Sequence, residues 1–443
     1  MADAAVAATV ESLLTSEGVE DPEDRTGWWV GGRRPDAVAL PGNDEEVAAL
    51  LRVAGREGWT VAPAGRGPEV EGPVLRERPL VVLSTSRLQR LVDYEPSNLT
   101  IRAGAGSTLG QLGDRLEAEG QRLALDPPGG EARSLGGVLA SGAAGPLAAG
   151  FGRPRDQVLG LVLVTGDGRV LRLGGDVVKN VAGFDLVRLA VGSRGTLGVI
   201  TEAALRLHPL PEVDRTWALP LKDMDQAASA LTRIRSFPYP LAAAELFVPP
   251  PDPSILSPAP PMVLAVRVTG SATAANRTVR ELSERVEPAG EGSGVSLDNR
   301  ESARFFHRAA EREGAVGWRG RAGVLPSRSV EVADGLHSAL QEAGPEGGFW
   351  IHVSGTTGSV RWGIPGQGSD VREPGEGSPA PPELVPESAL RAAGSVRVVG
   401  PTGLLPAGST GRGPSSDAGA RGRIVEGLRS AFDPQGVLPD PWP

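Results

Sequence analysis

The chain has 443 residues, 45 Lys+Arg against 54 Asp+Glu for a net charge of −9, and a hydrophobic content of 40%. That is enough apolar material for packed cores and enough length for two or three domains, while the acidic balance excludes the basic face that nucleic-acid binding needs. There is no cysteine, hence no disulfide, thiolate nucleophile or Cys-ligated cluster, and the four His show no helical ligand spacing, which excludes a local metal motif.

The first 34 residues predict an amphipathic helix on Val6, Val10, Leu13 and Leu14, then a Trp28-Trp29 pair of the kind that serves as a docking anchor. They contain no basic segment ahead of an apolar run, and nothing downstream reaches the length of a membrane span, so a cytoplasmic protein is expected, with peripheral membrane attachment left open. From residue 35 to 212 the pattern is regular: a helix over 45–56, strands at 60–62, 80–83 and 99–102, a helix led by Ser107, a hairpin over 158–173 about Asp167-Gly168, a helix over 186–190 and a strand over 197–207. Hairpins and helix crossovers together indicate α+β. Residues 213–400 predict a second domain, with helices over 225–235, 272–286 and 301–313 and strands over 262–268, 349–353 and 360–362. A Gly/Pro-rich stretch at 363–386 reads as a flexible surface loop, and residues 401–443 form a last segment with a helix over 418–432.

Glycine-dense loops stand at the ends of predicted strands. One is Pro63-Ala64-Gly65-Arg66-Gly67, a second runs from Pro127-Pro128 through Ser134-Leu135-Gly136-Gly137 to Ala140-Ser141-Gly142, and a third holds Gly195, Gly198, Val199 and Ile200. Glycine lets backbone approach a ligand closely and lets successive amides point into one hollow, as a pyrophosphate requires, and Gly136-Gly137 at a helix start would add the helix terminus. Neither a Rossmann GxGxxG unit nor a GxxxxGK[ST] loop occurs, so several separate loops would have to grip a cofactor.

The run from Gly175-Asp176 through Lys179-Asn180 to Gly183-Phe184-Asp185, followed by Gly192-Ser193-Arg194-Gly195-Thr196-Leu197-Gly198, resembles FAD-linked oxidases with a PCMH-type (vanillyl-alcohol-oxidase-like) flavin domain. Within that family it is closest to the FAD-binding subunits of glycolate oxidase complexes. Asp126-Pro127-Pro128, Gly136-Gly137, Ala143-Ala144-Gly145, Arg155-Asp156 and Val158-Leu159-Gly160 follow the same order, and the likeness is strong over 61–211 and faint beyond. It implies a two-lobed PCMH-type domain at 35–212, a cap on an antiparallel sheet at 213–400, and a C-terminal segment returning to the flavin domain. The three glycine loops would wrap FAD. Some relatives attach the flavin through a His in the first loop, where Arg66 and its neighbours stand here, which implies non-covalent FAD. Phe184 replaces a usual Tyr, Pro68 a usual Ser or Thr, and the stretch at 404–408 lacks the His of relatives, departures that touch substrate chemistry more than FAD binding.

Oxidising a CH–OH group of a 2-hydroxy acid needs a cation for the carboxylate, a base, and the flavin as hydride acceptor. Arg361 is the candidate cation and His352 the candidate base, each weighed against a packing role. Three readings stand: an FAD subunit working with a second flavoprotein and an iron–sulfur subunit in glycolate oxidation; a self-sufficient dehydrogenase or oxidase of another alcohol or hydroxy acid; and a flavin-free structural subunit of the same fold.

Overall fold

The computed structural model describes residues 2–14, 18–20, 28–30, 33–67, 69–70, 78–175, 185–287, 293–314, 317–345, 347–365, 395–400, 403–404 and 418–439. Pro68, most of the 175–186 motif with Lys179, Asn180 and Phe184, and the 405–408 stretch lie outside them.

The chain opens with helix α1 (Ala2–Leu13), which buries Val6 and Val10 against α2 (Asp44–Glu57) and is part of a core, not an appendage. Asn43 starts α2 by accepting from the Glu46 amide at 2.8 Å, and three acidic residues fill its first turn, where the helix dipole favours them. Beside it lies a parallel sheet of β1 (Ala37–Ala39), β2 (Thr60–Ala64) and β3 (Leu80–Ser84) in the order β1-β3-β2. Trp28 is buried against Val30, Val38, Leu80 and Val82, so this half of the tryptophan pair is an internal packing residue and not the exposed anchor expected.

A second, antiparallel sheet follows: β4 (Leu91–Glu95), β5 (Thr100–Gly104), β6 (Val158–Val164), β7 (Val170–Gly174) and β8 (Val199–Arg206), in the order β7-β6-β8-β5-β4. The two longest helices between β5 and β6 are α3 (Leu109–Glu117) and α4 (Leu135–Ser141). Thr108 and Gln111 form a reciprocal capping box at the start of α3.

The chain then enters a nine-stranded antiparallel sheet made of β9 (Val213–Leu221), β10 (Ala243–Val248), β11 (Met262–Gly270), β12 (Val295–Leu297), β13 (Gly317–Gly323), β14 (Trp350–Ser354), β15 (Ser359–Pro365), β16 (Ser395–Gly400) and β17 (Gly403–Leu404). Its order is β12-β9-β11-β10-β14-β15-β13-β16-β17. Two expectations change here. Residues 363–365, assigned to a surface loop, complete β15, and β17 carries the sheet past residue 400. The helices α5 (Met224–Arg235), α6 (Ala272–Val286) and α8 (Ser329–Ala343) cover one face, burying Leu246, Val266, Ile351, Val353, Val360 and Trp362. Because side chains alternate along a strand, Phe247, His352 and Arg361 point to the other face. Part of that face is covered by α7 (Asn299–Gly314) through Phe305 and Phe306.

The remaining part turns toward the N-terminal sheets. The Gly129 amide donates to Ala310 O at 2.8 Å, Arg361 Nη1 to Ala144 O at 2.8 Å, and Arg122 pairs with Asp214 at 3.2 Å. After α9 (Ala418–Phe432), Asp433 accepts from the Val437 and Leu438 amides, and Val437 O takes the Val61 amide, so the last described residues lie against β2 and α2.

Candidate functional site

A cleft of about 540 Å³ opens between the N-terminal sheets and the nine-stranded sheet, within the range of cofactor pockets. Its lining contains Pro63, Ala64, Gly65, Arg66 and Gly67 from the turn after β2, Ser134, Gly136, Gly137, Ala140 and Ser141 from α4, and Gly195, Gly198, Val199 and Ile200 at the entry to β8. Three glycine loops far apart in sequence thus meet on one cavity. Four of the residues proposed with them stand outside the lining. Leu135 is fully buried in the core under α4, Gly142 closes that helix in a left-handed conformation, and Pro127 and Pro128 shape the preceding turn, their carbonyls accepting from Gly130 N and Arg133 Nη1.

The glycines act here through close approach more than through free amides. A Cβ on Gly65 would sit 2.3 Å from Ser134 Oγ, and one on Gly136 2.6 Å from the Ala105 Cβ. The first amides of α4 are already committed: Leu135 N to Ser107 O, Gly136 N to Ala105 O at 2.7 Å, and Gly137 N to Ser134 Oγ at 3.3 Å. The expected helix-terminus contribution from Gly136-Gly137 is therefore spent inside the protein. Among the described residues, the lining instead brings four guanidiniums, Arg66, Arg133, Arg194 and Arg319, from four separate segments, and no Asp or Glu. Arg66 is exposed and makes no hydrogen bond or ion pair to a described residue. A donor set of arginines without carboxylates fits a diphosphate, whose charge suits forked N–H donors. Neither His, Tyr nor Cys is among the described lining residues. Arg133, Arg194, Arg319, Thr85, Gly129, Ala132 and Gly314 were not foreseen; Gly314 ends α7 and Arg319 lies on β13, elements of the other lobe that no local motif connects to the loops.

Next to the cleft, the inner face of the nine-stranded sheet carries a buried charged cluster. In register, Phe247 is opposite His352 on β14, and His352 is opposite Arg361 on β15. His352 Nε2 meets Glu245 Oε2 at 2.7 Å, its Nδ1 meets Glu313 Oε1 at the end of α7, and the ring stacks on Phe247 at 4.2 Å. Arg361 Nε lies 3.3 Å from Glu313 Oε2, and Ser354 Oγ donates to Glu245 Oε1 at 3.0 Å. Arg361 Nη2 also lies 3.0 Å from His352 Nδ1, so that ring nitrogen faces a carboxylate and a guanidinium at once. Burial alone would raise Glu313, but Arg361 and then His352 outweigh it and hold its carboxyl at about 2. Asp126, beside this cluster, is pushed up to about 7 by burial, which the nearby Arg267 and the Leu147 amide only partly offset.

The two sequence candidates are therefore brought together, in different settings. Arg361 lines a small hollow beside the cleft, whereas His352 is 1% exposed and lines neither cavity. Both its nitrogens are engaged, so the part it plays is to orient Arg361 and the two glutamates. His208, at the junction of the two halves, contacts Gln157 Oε1 at 3.0 Å and the edge of Phe151, in a structural role. Among the described residues there is no group of three or more His, Asp or Glu side chains placed to hold a metal, and no helix long and apolar enough to cross a membrane.

Residues 35–174 match the family model for an FAD binding domain. The D-lactate dehydrogenase of Archaeoglobus fulgidus is 36% identical over 206 residues, 46% of each chain. Glycolate oxidase subunit GlcE of Escherichia coli is 40% identical over 153 residues, 34% of this chain and 43% of that one, and subunit GlcD of Bacillus subtilis is 32% identical over 200 residues, 45% and 43%. The chain thus spans less than half the length of these relatives. A solved structure of alkyldihydroxyacetonephosphate synthase superposes with a TM-score of 0.69 at 16% identity, covering 97% of this chain and 83% of that one, which establishes a shared two-lobed fold.

Proposed function

We propose, from the FAD binding domain that residues 35–174 form, that this chain is a flavoprotein that binds FAD non-covalently in the arginine-lined cleft and supports oxidation of a small 2-hydroxy acid. Its place is the FAD-binding subunit of a glycolate-oxidase-type complex that converts glycolate to glyoxylate, beside a second flavoprotein and an iron–sulfur subunit, in the cytoplasm and peripheral to the membrane through that complex. The observation that carries the reading is the adjacency of the two features above: a cofactor-sized cleft whose described lining has four guanidiniums and no carboxylate, opening beside the Arg361 guanidinium that the buried Glu313 carboxylate holds on the opposite sheet.

Bound FAD supplies the hydride acceptor. The chain's own residues supply the rest. Arg66 and its neighbours meet the diphosphate, Ser134 and Gly137 set the distance between the first loop and α4, and Arg361, fixed through Glu313 and His352, presents a preset fork to an incoming carboxylate. With no Cys among its 443 residues, an iron–sulfur cluster of such a complex would sit in a partner subunit.

The test is anaerobic addition of glycolate or D-lactate to the FAD-loaded chain, alone and with its partner subunits, while the flavin absorbance is followed. Bleaching with the partners present supports the complex, and bleaching of the lone chain at a turnover rate supports the self-sufficient enzyme. An unbleached flavin in both preparations contradicts hydroxy-acid oxidation.

A further inference from the structure

The small hollow beside the cleft lies between the loop that leaves α4 and the inner face of β13 to β15. Ala144, Gly145 and Arg153 line one side of it, Arg321, Ser359 and Arg361 the other, and its volume of about 10 Å³ has room for one water-sized group. It adjoins the cofactor cleft. The chain passes from cleft-lining Ser141 to hollow-lining Ala144 in three residues, and Arg319 and Arg321 are two apart on one face of β13.

Among the described residues, the guanidiniums at this hollow are not all paired. Glu245 contacts His352, and Glu313 contacts both His352 and Arg361. That leaves Arg153 and Arg321, both exposed, with no side-chain hydrogen bond or ion pair to a described residue. Although exposed on one side, the Arg321 guanidinium is partly desolvated by the protein around it and repelled by Arg361, Arg153 and Arg194; Glu313 offsets this only in part, and the group comes down to about 10. Independently, Ser359 Oγ is buried in the wall of the hollow, its residue 8% exposed, and has no hydrogen-bond partner. A buried hydroxyl without a partner and like charges held together both call for a ligand that the protein does not itself supply. One carboxylate on the ligand would offset only one of the two positive charges.

We propose that Arg153 and Arg321 hold a second acidic group of a substrate, so that beside glycolate the site takes, and prefers, a dianionic hydroxy acid, either a dicarboxylate or a phosphorylated hydroxy acid. This rests on the reading of the chain as a flavin-dependent hydroxy-acid oxidoreductase. Glycolate, with a single charge, fills only half of the site. One oxygen of the second group enters the hollow within reach of Ser359, and the exposed Arg153 and Arg321 meet the others as forked donors.

Binding and oxidation are tested separately on the FAD-loaded full chain. By calorimetry, succinate or inorganic phosphate should bind at least tenfold more tightly than acetate, none of the three being oxidisable. Arg321→Ala and Arg153→Ala should each abolish that preference, and Arg321→Lys should keep part of it. In parallel, malate, 3-phosphoglycerate and glycolate are compared as flavin reductants; malate leading assigns the dicarboxylate, 3-phosphoglycerate the phosphorylated acid. Acetate binding as tightly as the dianions, a preference that survives Arg321→Ala, or glycolate leading both dianions as reductant overturns the proposal. Selective dianion binding without flavin reduction by any hydroxy acid upholds the anion site and contradicts the oxidation reading instead.

Discussion

Replacing Glu313 with Gln tests whether the buried cluster holds the inner face of the cap sheet together. The Glu313 carboxylate accepts from His352 Nδ1 and pairs with Arg361 Nε at 3.3 Å, and the residue is 5% exposed. Burial would raise this acid above its ordinary 4.5, but Arg361 and His352 reverse the shift and bring it to about 2. An acid depressed in the folded state contributes stability that is fully present above its unfolded value and is lost as pH falls through the folded one. The window for Glu313 therefore runs from about 4.5 down to about 2. At about 1.4 kcal/mol per unit, the linkage is worth roughly 3 kcal/mol. Breaking a buried ion pair by removing one partner costs about 3–5 kcal/mol, in agreement. For a lobe on the order of 200 residues, that lowers the melting temperature by roughly 6–12 °C. Thermal unfolding of the parent and Glu313→Gln, followed by circular dichroism at pH 7 and pH 3, should show the full gap at pH 7 and a narrowed one at pH 3. A variant melting within about 2 °C of the parent at pH 7, or an equal gap at both pH values, refutes the assignment.

Other outcomes follow from the same geometry. Arg66→Ala removes a charge-assisted contact to the diphosphate and should weaken FAD retention by roughly 10–100-fold, measured as flavin lost on dilution and filtration. Gly136→Val places a Cβ 2.6 Å from the Ala105 Cβ and should cost about 1–3 kcal/mol in chemical denaturation. Asp433→Ala strips the Val437 and Leu438 amides of their acceptor; a cost of about 1–3 kcal/mol should appear as earlier proteolytic cutting within the last residues.

Much of the first half was legible because its signals are local. Asn43 ahead of an apolar 3.6-residue pattern marks α2, an Asp-Gly turn between apolar runs marks the β6–β7 hairpin, and the glycine loops sit at strand ends. What those loops do was only half legible. That α4 spends its amides on Ser107, Ala105 and Ser134 depends on tertiary contacts, and the cavity's cationic lining is assembled from Arg66, Arg133, Arg194 and Arg319 at long separations. In the second half, β13 reads Gly-Trp-Arg-Gly-Arg-Ala-Gly, with little strand propensity, and it forms because β15 and β16 pair on its two sides. Arg319 and Arg321 were hidden with it. His352 and Arg361 could be named from the sequence as candidates, but their meeting depends on β14 and β15 being neighbours. Their common dependence on Glu313 needs α7 to end above that pair.

The central claim is that the arginine-lined cleft holds FAD without a covalent bond. The purified chain's visible spectrum, followed by acid precipitation and measurement of the released flavin, tests it most directly. A yellow protein that releases about one FAD per chain into the supernatant is the predicted result, as expected for a cofactor held only by non-covalent contacts. A colourless protein that takes up no added FAD, or flavin that stays with the precipitate, contradicts it.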